Sequence, residues 1–266
     1  KRGQPSQTAL LVALSVLRRG QHQGLPERSR AVAEQALHTA RGGWRWLAAL
    51  TRIAAGRWLL DLFERLTLPG LARHHCQRKA QLLRWLRQQP EPRRWLWVGV
   101  GCDAIGQALR AELDSVELLE FDQPALLALR APLAGHALPL QLPDDADTLL
   151  QQCAKAPSTL ILEGVAMYLP ARALIRLLRA LSRLPAPPRL LFSALDLPCA
   201  QGRGFARTHA LTRRWLAARG EPFRWRLSPE RMQRLLQRYG YRTDRLWSGD
   251  GYGEYLIDAA TPTAAL

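Results

Sequence analysis

The stretch from Arg94 to Pro124, RWLWVGVGCDAIGQALRAELDSVELLEFDQP, admits few folds. Trp95 to Val98 is bulky and continuously apolar, as a strand covered on both faces must be. Gly99 and Gly101 follow at once, and a residue without Cβ lets the chain turn sharply and lets a ligand approach the backbone. Cys102 to Leu113 then carries helical spacing, with Ile105, Leu109 and Leu113 on one side. Val116 to Phe121 is a second apolar run that closes on Glu120 and Asp122. Strand, glycine turn, helix and strand form a βαβ unit of a parallel sheet. Such sheets take ligands at the C-terminal ends of their strands.

Two ligands compete for this unit. The dinucleotide pattern G-x-G-x-x-G places a pyrophosphate on a helix N-terminus and an acid on the ribose. Here the glycines fall at 99, 101 and 106, so the third is late by two positions. Asp103 also sits in the turn, where its charge repels a pyrophosphate. A ligand with a ribose and no phosphate removes that conflict. S-adenosyl-L-methionine is such a ligand, with a positive sulfonium and ammonium. Glu120 or Asp122 can accept from both ribose hydroxyls, because a carboxylate offers two oxygens. A parallel α/β protein whose glycines only make a tight turn is the remaining reading.

Composition narrows the class. A chain of 266 residues, 47% apolar and 23% charged, can bury a large core in one domain with an appendage or in two small ones. Its net charge is +16, and of its 38 basic residues only Lys1, Lys79 and Lys155 are lysine. The arginines are scattered without a block of like charge, which reads as solvated helix faces; an anionic substrate or nucleic acid is the other reading. Cys76, Cys102, Cys153 and Cys199 lie far apart, so neither a metal site nor a disulfide framework is expected. No run of eighteen apolar residues exists, so no membrane partner is expected. Thr8 to Leu17 lacks a cleavage site and ends on Arg18 and Arg19, which favours a cytoplasmic helix over a signal peptide.

The rest of the chain extends the pattern. Helices are expected over 6–19, within 28–66 with a break at Gly42 and Gly43, and over 71–88. Trp44, Trp46, Trp58 and Phe63 read as core-packing aromatics, with the wall of a substrate pocket as the other reading. Pro90 and Pro92 mark the boundary between a helical segment, 1–90, and an α/β domain, 91–266. A third strand is expected over His136 to Leu142, a fourth over Thr159 to Leu162 before Glu163 and Gly164, and a fifth over Arg189 to Leu195. Ala171 to Leu184 is amphipathic, and Ser228 caps a helix running to Tyr239. Residues 198–215 are rich in glycine and arginine, as a lid would be. Gly240 to Trp247 and Tyr252 to Ile257 form a terminal pair of strands. The whole predicts a seven-stranded, mainly parallel sheet with an antiparallel edge.

The segments SQTALLVAL, RKAQLLRWLR, VGVGCDAIG, ELLEFDQP, LILEGVAMYLP and GEPFRW, in this order, resemble the leucine carboxyl methyltransferase family. That family belongs to the class I S-adenosylmethionine-dependent methyltransferases and includes bacterial natural-product O-methyltransferases. The resemblance implies a Rossmann-like seven-stranded methyltransferase sheet under an N-terminal helical cap. It also implies S-adenosyl-L-methionine as cofactor and S-adenosyl-L-homocysteine as product. Arg78 matches the arginine that holds the cofactor's carboxylate, a pairing a guanidinium makes through two parallel hydrogen bonds. Gly99 and Gly101 match the turn beneath the methionine part, Asp122 with Glu120 the ribose acids, and Glu163 the acid near the amino group and sulfonium. Two departures stand out. The family's adenine-contacting Asp-Leu is Gln141-Leu142 here, and its Asp-Thr-Arg is Asp103-Ala104-Ile105. A glutamine amide can still both donate to and accept from an adenine edge.

Methyl transfer to oxygen is a direct displacement dominated by proximity and orientation. A carboxylate acceptor is ionised at neutral pH, whereas a hydroxyl needs a base. His209 and Tyr168 are the candidate catalytic residues, with His74 and His75 behind them. The expected substrate is a small metabolite, natural product or peptide that an arginine-rich lid could hold if anionic. Two alternatives remain: a methyltransferase relative acting on RNA, and a non-catalytic binding protein that keeps the fold.

Overall fold

The computed structural model describes residues 5–90, 93–130, 137–199, 204–207, 214, 216–249 and 251–262. His136 and His209, and with them 200–203, 208–213 and 215 of the expected lid, lie outside the described residues. The chain forms two compact units. One gathers the described residues within Lys1–Gln89, Val100–Asp114 and Asp122–Pro139. The other gathers those within Pro90–Gly99, Ser115–Phe121 and Leu140–Leu266.

The first unit is helical. Helix α1, Gln7–Arg19, begins at Ser6, whose hydroxyl accepts from the Ala9 N–H, and ends on Arg18 and Arg19, which suit the negative end of its dipole. Helix α2 (Glu27–Thr39) and α5 (Leu71–Arg87) both pack on α1. Leu10, Val16, Leu37, Leu82 and Leu86 are fully buried. Between them come α3, Trp44–Leu50, and α4, Ala54–Thr67. The break expected at Gly42 and Gly43 falls just before α3. The aromatics there do not form a core. Trp46, Trp58 and Phe63 are 64%, 65% and 66% exposed, and Trp44 is partly covered with its Nε1–H on Gln7. Helical spacing on α4 leaves Gly56 and Leu60 to face inward instead.

The sheet has seven strands. They are β1 (Arg93–Val98), β2 (Val116–Asp122), β3 (Ala137–Pro139), β4 (Thr159–Leu162), β5 (Arg189–Leu195), β6 (Arg242–Ser248) and β7 (Glu254–Ala260), in the order β3-β2-β1-β4-β5-β7-β6. β1 pairs in parallel with β2 and β4, and β4 with β5; β7 runs antiparallel to β5 and β6. The expected mixed sheet with an antiparallel edge is therefore present. Central β1 buries Trp95, Leu96, Trp97 and Val98 together, whereas edge strand β6 alternates exposed and half-covered residues. β3 is shorter than expected and ends before Gln141, because Pro139 and Pro143 cannot donate to a ladder.

Within the second unit, helix α8 (Ala146–Lys155) packs on α9 (Ala171–Leu181), which inserts Leu174, Leu177, Leu178 and Leu181 at the i, i+3, i+4, i+7 spacing of one face. The core they join includes Leu96, Phe121, Leu160, Phe192 and Ile257. The C-terminal helix α10, Pro229–Arg238, starts at Ser228, whose hydroxyl faces the Arg231 N–H at 3.5 Å. Asp258 is fully buried between Arg189 and Arg245, each at 2.5 Å, and this pins the antiparallel edge.

Gly99 and Gly101 both have positive φ, +74° and +63°, for different reasons. A Cβ on Gly99 would stand 2.2 Å from Val165 Cγ2, while one on Gly101 would meet nothing within 4 Å. Gly101→Ala should therefore cost about 1–2 kcal/mol of left-handed strain alone. Gly99→Ala should cost that plus about 1–3 kcal/mol of overpacking. Urea denaturation of the two variants checks this, and equal losses would overturn it.

Candidate functional site

The chain after the glycine turn forms helix α6, Ile105–Glu112, and Pro124–Arg130 after β2 forms α7. At the head of α6 lies a buried polar cluster wholly within the helical unit. Lys79 on α5 reaches Asp103 with Nζ 2.5 Å from Oδ2, and both side chains are nearly inaccessible. The other carboxylate oxygen of Asp103 accepts from the Ile105 N–H at 3.1 Å, and the Asp103 carbonyl accepts from Arg130 Nη2 at 2.9 Å. Asp122 accepts from the Gly101 N–H and from the Gln123 N–H, both at 2.7 Å. Each oxygen of Asp122 thus holds one backbone donor and keeps capacity for another.

The electrostatics follow from burial. Burial pushes the Asp122 carboxyl up to about 6; the two backbone N–H donors and Arg130 pull it down, and Asp103 adds to the rise. Burial likewise pushes the thiols of Cys76 and Cys102 up to about 12, so neither is a nucleophile near neutral pH. Arg78, beside Lys79 on α5, is buried as well.

Structure and sequence differ on Asp103. Its charge was expected to repel a phosphate, yet Lys79 neutralises it. Asp103 Oδ1 also occupies the N–H of Ile105 at the start of α6, one of the donors a pyrophosphate could use there.

The remaining predicted residues lie in the sheet unit. Gly99 follows β1 and donates its N–H to the Phe121 carbonyl at 2.8 Å, which anchors the turn. Glu120 on β2 and Glu163 after β4 are both buried. Gly164 donates to Ser193 Oγ at 2.9 Å. Gln141 lies beyond β3, with its N–H on Asp145 Oδ2 at 2.7 Å, so Gln141 and Leu142 belong to a turn rather than to a strand end.

Tyr168 closes the 3₁₀ turn Ala166–Tyr168, and its ring stacks at 5.6 Å on Phe223. Phe223 meets Phe205 edge-on, and Phe205 meets Tyr252 the same way. Two segments distant in sequence are joined here, since the Arg224 N–H donates to the Met167 carbonyl and Trp225 Nε1 to the Leu169 carbonyl. His75 hydrogen-bonds Ser15 on α1 at 3.0 Å, which makes it a helix-packing residue.

Sequence reasoning missed Lys79, Arg130 and the Phe205–Phe223–Tyr252 cluster. Lys79 did carry a signal, as one of only three lysines in an arginine-rich chain. Among the described residues, no group of three or more His, Cys, Asp or Glu could hold a metal ion. None of their helices is long and apolar enough to cross a membrane.

No protein-family model matches this sequence, and no curated protein matches it. Solved structures do. A DUF574 family protein from Streptomyces avermitilis is 16% identical, with 86% of this chain and 97% of that one covered and a TM-score of 0.56. A possible exported protein from Bordetella parapertussis is 18% identical, with 96% of each chain covered and a TM-score of 0.51. At a TM-score of 0.44, magnesium protoporphyrin IX methyltransferase from Synechocystis PCC 6803, with bound SAH, is 16% identical over 72% of this chain and 85% of that one. At such identities the likeness to the first two concerns the fold alone, a mixed seven-stranded α/β sheet with surrounding helices.

Two outcomes test the cluster. Asp103→Asn keeps the bond to Ile105 but leaves a buried ammonium facing an uncharged partner, so stability should fall by about 3 kcal/mol. A loss below about 1 kcal/mol in equilibrium denaturation, the range of an exposed pair, would show that Lys79 reaches water. The second concerns pH. The Asp122 carboxyl ionises near 3.8 ordinarily and near 6 in the fold. Between those values the folded protein holds a proton that the unfolded chain has released. Stability relative to Asp122→Asn should therefore fall as pH rises from about 4 to about 6, by roughly 3 kcal/mol, and then level off. A flat difference across that window would contradict the assignment.

Proposed function

We propose that this chain is an S-adenosyl-L-methionine-dependent O-methyltransferase resembling the leucine carboxyl methyltransferases and their natural-product relatives. The observation that carries the reading is the open glycine turn at the head of α6. Gly101 has free space where a Cβ would stand, Asp122 lies directly beneath its N–H, and Asp103 has taken one of the donors a pyrophosphate could use. Such a turn fits a ribose-bearing ligand that carries positive rather than negative charge near the backbone.

When bound, the cofactor supplies an electrophilic methyl group on a sulfonium and leaves as S-adenosyl-L-homocysteine. In this reading Arg78 pairs with its carboxylate and Asp122 accepts from its ribose through the unused capacity of both oxygens. Gly99, Glu120, Gln141, Leu142 and Glu163 keep the roles that the family resemblance gives them. Burial of Asp122 strengthens its hydrogen bonds to hydroxyl donors, since little water competes for them. The acceptor is a carboxylate or hydroxyl of a small metabolite, natural product or peptide. Tyr168, whose ring lies against Phe223, would act as the base or the orienting group for such an acceptor.

Calorimetric titration with S-adenosyl-L-homocysteine tests the reading. Binding is expected, and Asp122→Ala should weaken it ten- to a hundredfold, about 1.5–3 kcal/mol. Binding of NAD in place of S-adenosyl-L-homocysteine, or an affinity unchanged by Asp122→Ala, would overturn it. Transfer of a labelled methyl group to carboxylate and hydroxyl acceptors then separates an enzyme from a binding protein.

A further inference from the structure

Helices α3 and α4 present an apolar face that nothing in the described structure covers. Trp46, Ile53, Trp58, Leu59, Phe63 and Leu66 are 50–77% exposed, and all six lie within twenty-one consecutive positions. On α4 the residues Ala55, Leu59, Leu62, Phe63 and Leu66 follow the i, i+4, i+7, i+8, i+11 spacing of a single stripe, with Trp58 at its edge. Gly56 and Leu60 already supply the inward face. The helix is therefore apolar on two sides, which core packing alone does not require.

The charge around this face is one-sided. Arg41, Arg45, Arg57 and Arg65 are exposed beside it. The only acids of α4, Asp61 and Glu64, are drawn inward: Asp61 pairs with Arg18 and Arg19, and Glu64 with Arg18 at 2.7 Å. Burial would raise the Asp61 carboxyl, but those guanidinium groups outweigh it and hold it below the usual range. Arg52 is paired with Glu34 at 2.8 Å, and the Arg45 guanidinium lies 5.0 Å from the centre of the Trp46 ring. An arginine poised on a tryptophan, beside aliphatic side chains, matches the layered chemistry of a lipid interface, with phosphate outside and acyl chain inside.

We infer that α3 and α4 dock this protein on an anionic lipid surface, with Trp46, Trp58, Phe63 and Leu66 in the acyl boundary and Arg41, Arg45, Arg57 and Arg65 at the headgroup phosphates. A second copy of the chain fits less well, because it would bring together two surfaces of a +16 protein whose acids on α4 are already paired with Arg18 and Arg19. Nucleic acid would match the arginines but leave Leu59 and Leu66 without partners. That no helix among the described residues is long and apolar enough to cross a membrane does not bear on this, since a helix that lies in the interface need not cross it.

Flotation of the full chain with vesicles of phosphatidylcholine and phosphatidylglycerol in equal parts, against phosphatidylcholine alone, provides the test. Binding is expected only to the anionic vesicles and should weaken as salt is raised. The triple variant Trp58→Ser, Phe63→Ser, Leu66→Ser leaves the net charge untouched and should lower partitioning at least about tenfold. Because these side chains are exposed, its thermal unfolding midpoint should match that of the parent. If it does not, Leu66→Gln alone should lower partitioning measurably. Undiminished binding by the triple variant would trace attachment to diffuse charge and overturn the proposal. Failure to bind anionic vesicles would overturn it too, as would a concentration-dependent dimer that the triple variant abolishes.

Discussion

A single buried ion pair organises the region around the glycine turn. Lys79 and Asp103 meet in a place almost free of water, where an unmatched charge would be costly. Asp103 can hold that position only while the chain leaves β1 sharply and α6 starts at Ile105, which its second oxygen caps. Its carbonyl in turn receives Arg130 from the end of α7. One aspartate thus ties α5, the head of α6 and the end of α7 together, and the open backbone of Gly101 sits beside it. Asp122 secures the other side of the same turn through the Gly101 N–H.

The two acids of the turn do different work. Sequence reasoning took Asp103 as a charge that repels a pyrophosphate; in the fold it is held by Lys79 and caps the Ile105 N–H. Asp122 is both structural and free to accept further, since its two backbone donors use one lone pair on each oxygen. Its raised ionisation range follows from burial that two N–H donors and a nearby arginine do not fully offset. A carboxyl placed this way responds to any new hydroxyl donor that enters.

The aromatic load of the chain is divided in the same physical terms. Trp95 and Trp97 alternate along the central strand and vanish into the core. Tyr168, Phe205, Phe223 and Tyr252 meet pairwise in tilted and edge-on contacts that join segments far apart in sequence. Trp46, Trp58 and Phe63 remain outside, because the inward face of α4 is built from Gly56 and Leu60, which let the helix lie close. Residue type was the same in all three groups; position on the element decided the outcome.

Much of this protein was legible in its residues. The largely apolar runs at 95–98, 160–162 and 190–195 read as buried strands, and their alternation with amphipathic helices pointed to a parallel sheet. The terminal pair around Gly251 had to turn back on itself, so the antiparallel edge was readable too. Local signals of period and turn chemistry sufficed because each concerns neighbours in sequence. What they could not decide depended on neighbours in space. That Lys79 meets Asp103, that Asp122 holds Gly101, that β3 stops at Pro139 and that Trp46 and Trp58 face outward are all settled by which helix covers which face. That choice is made by the packing of distant segments, and no window of sequence contains it.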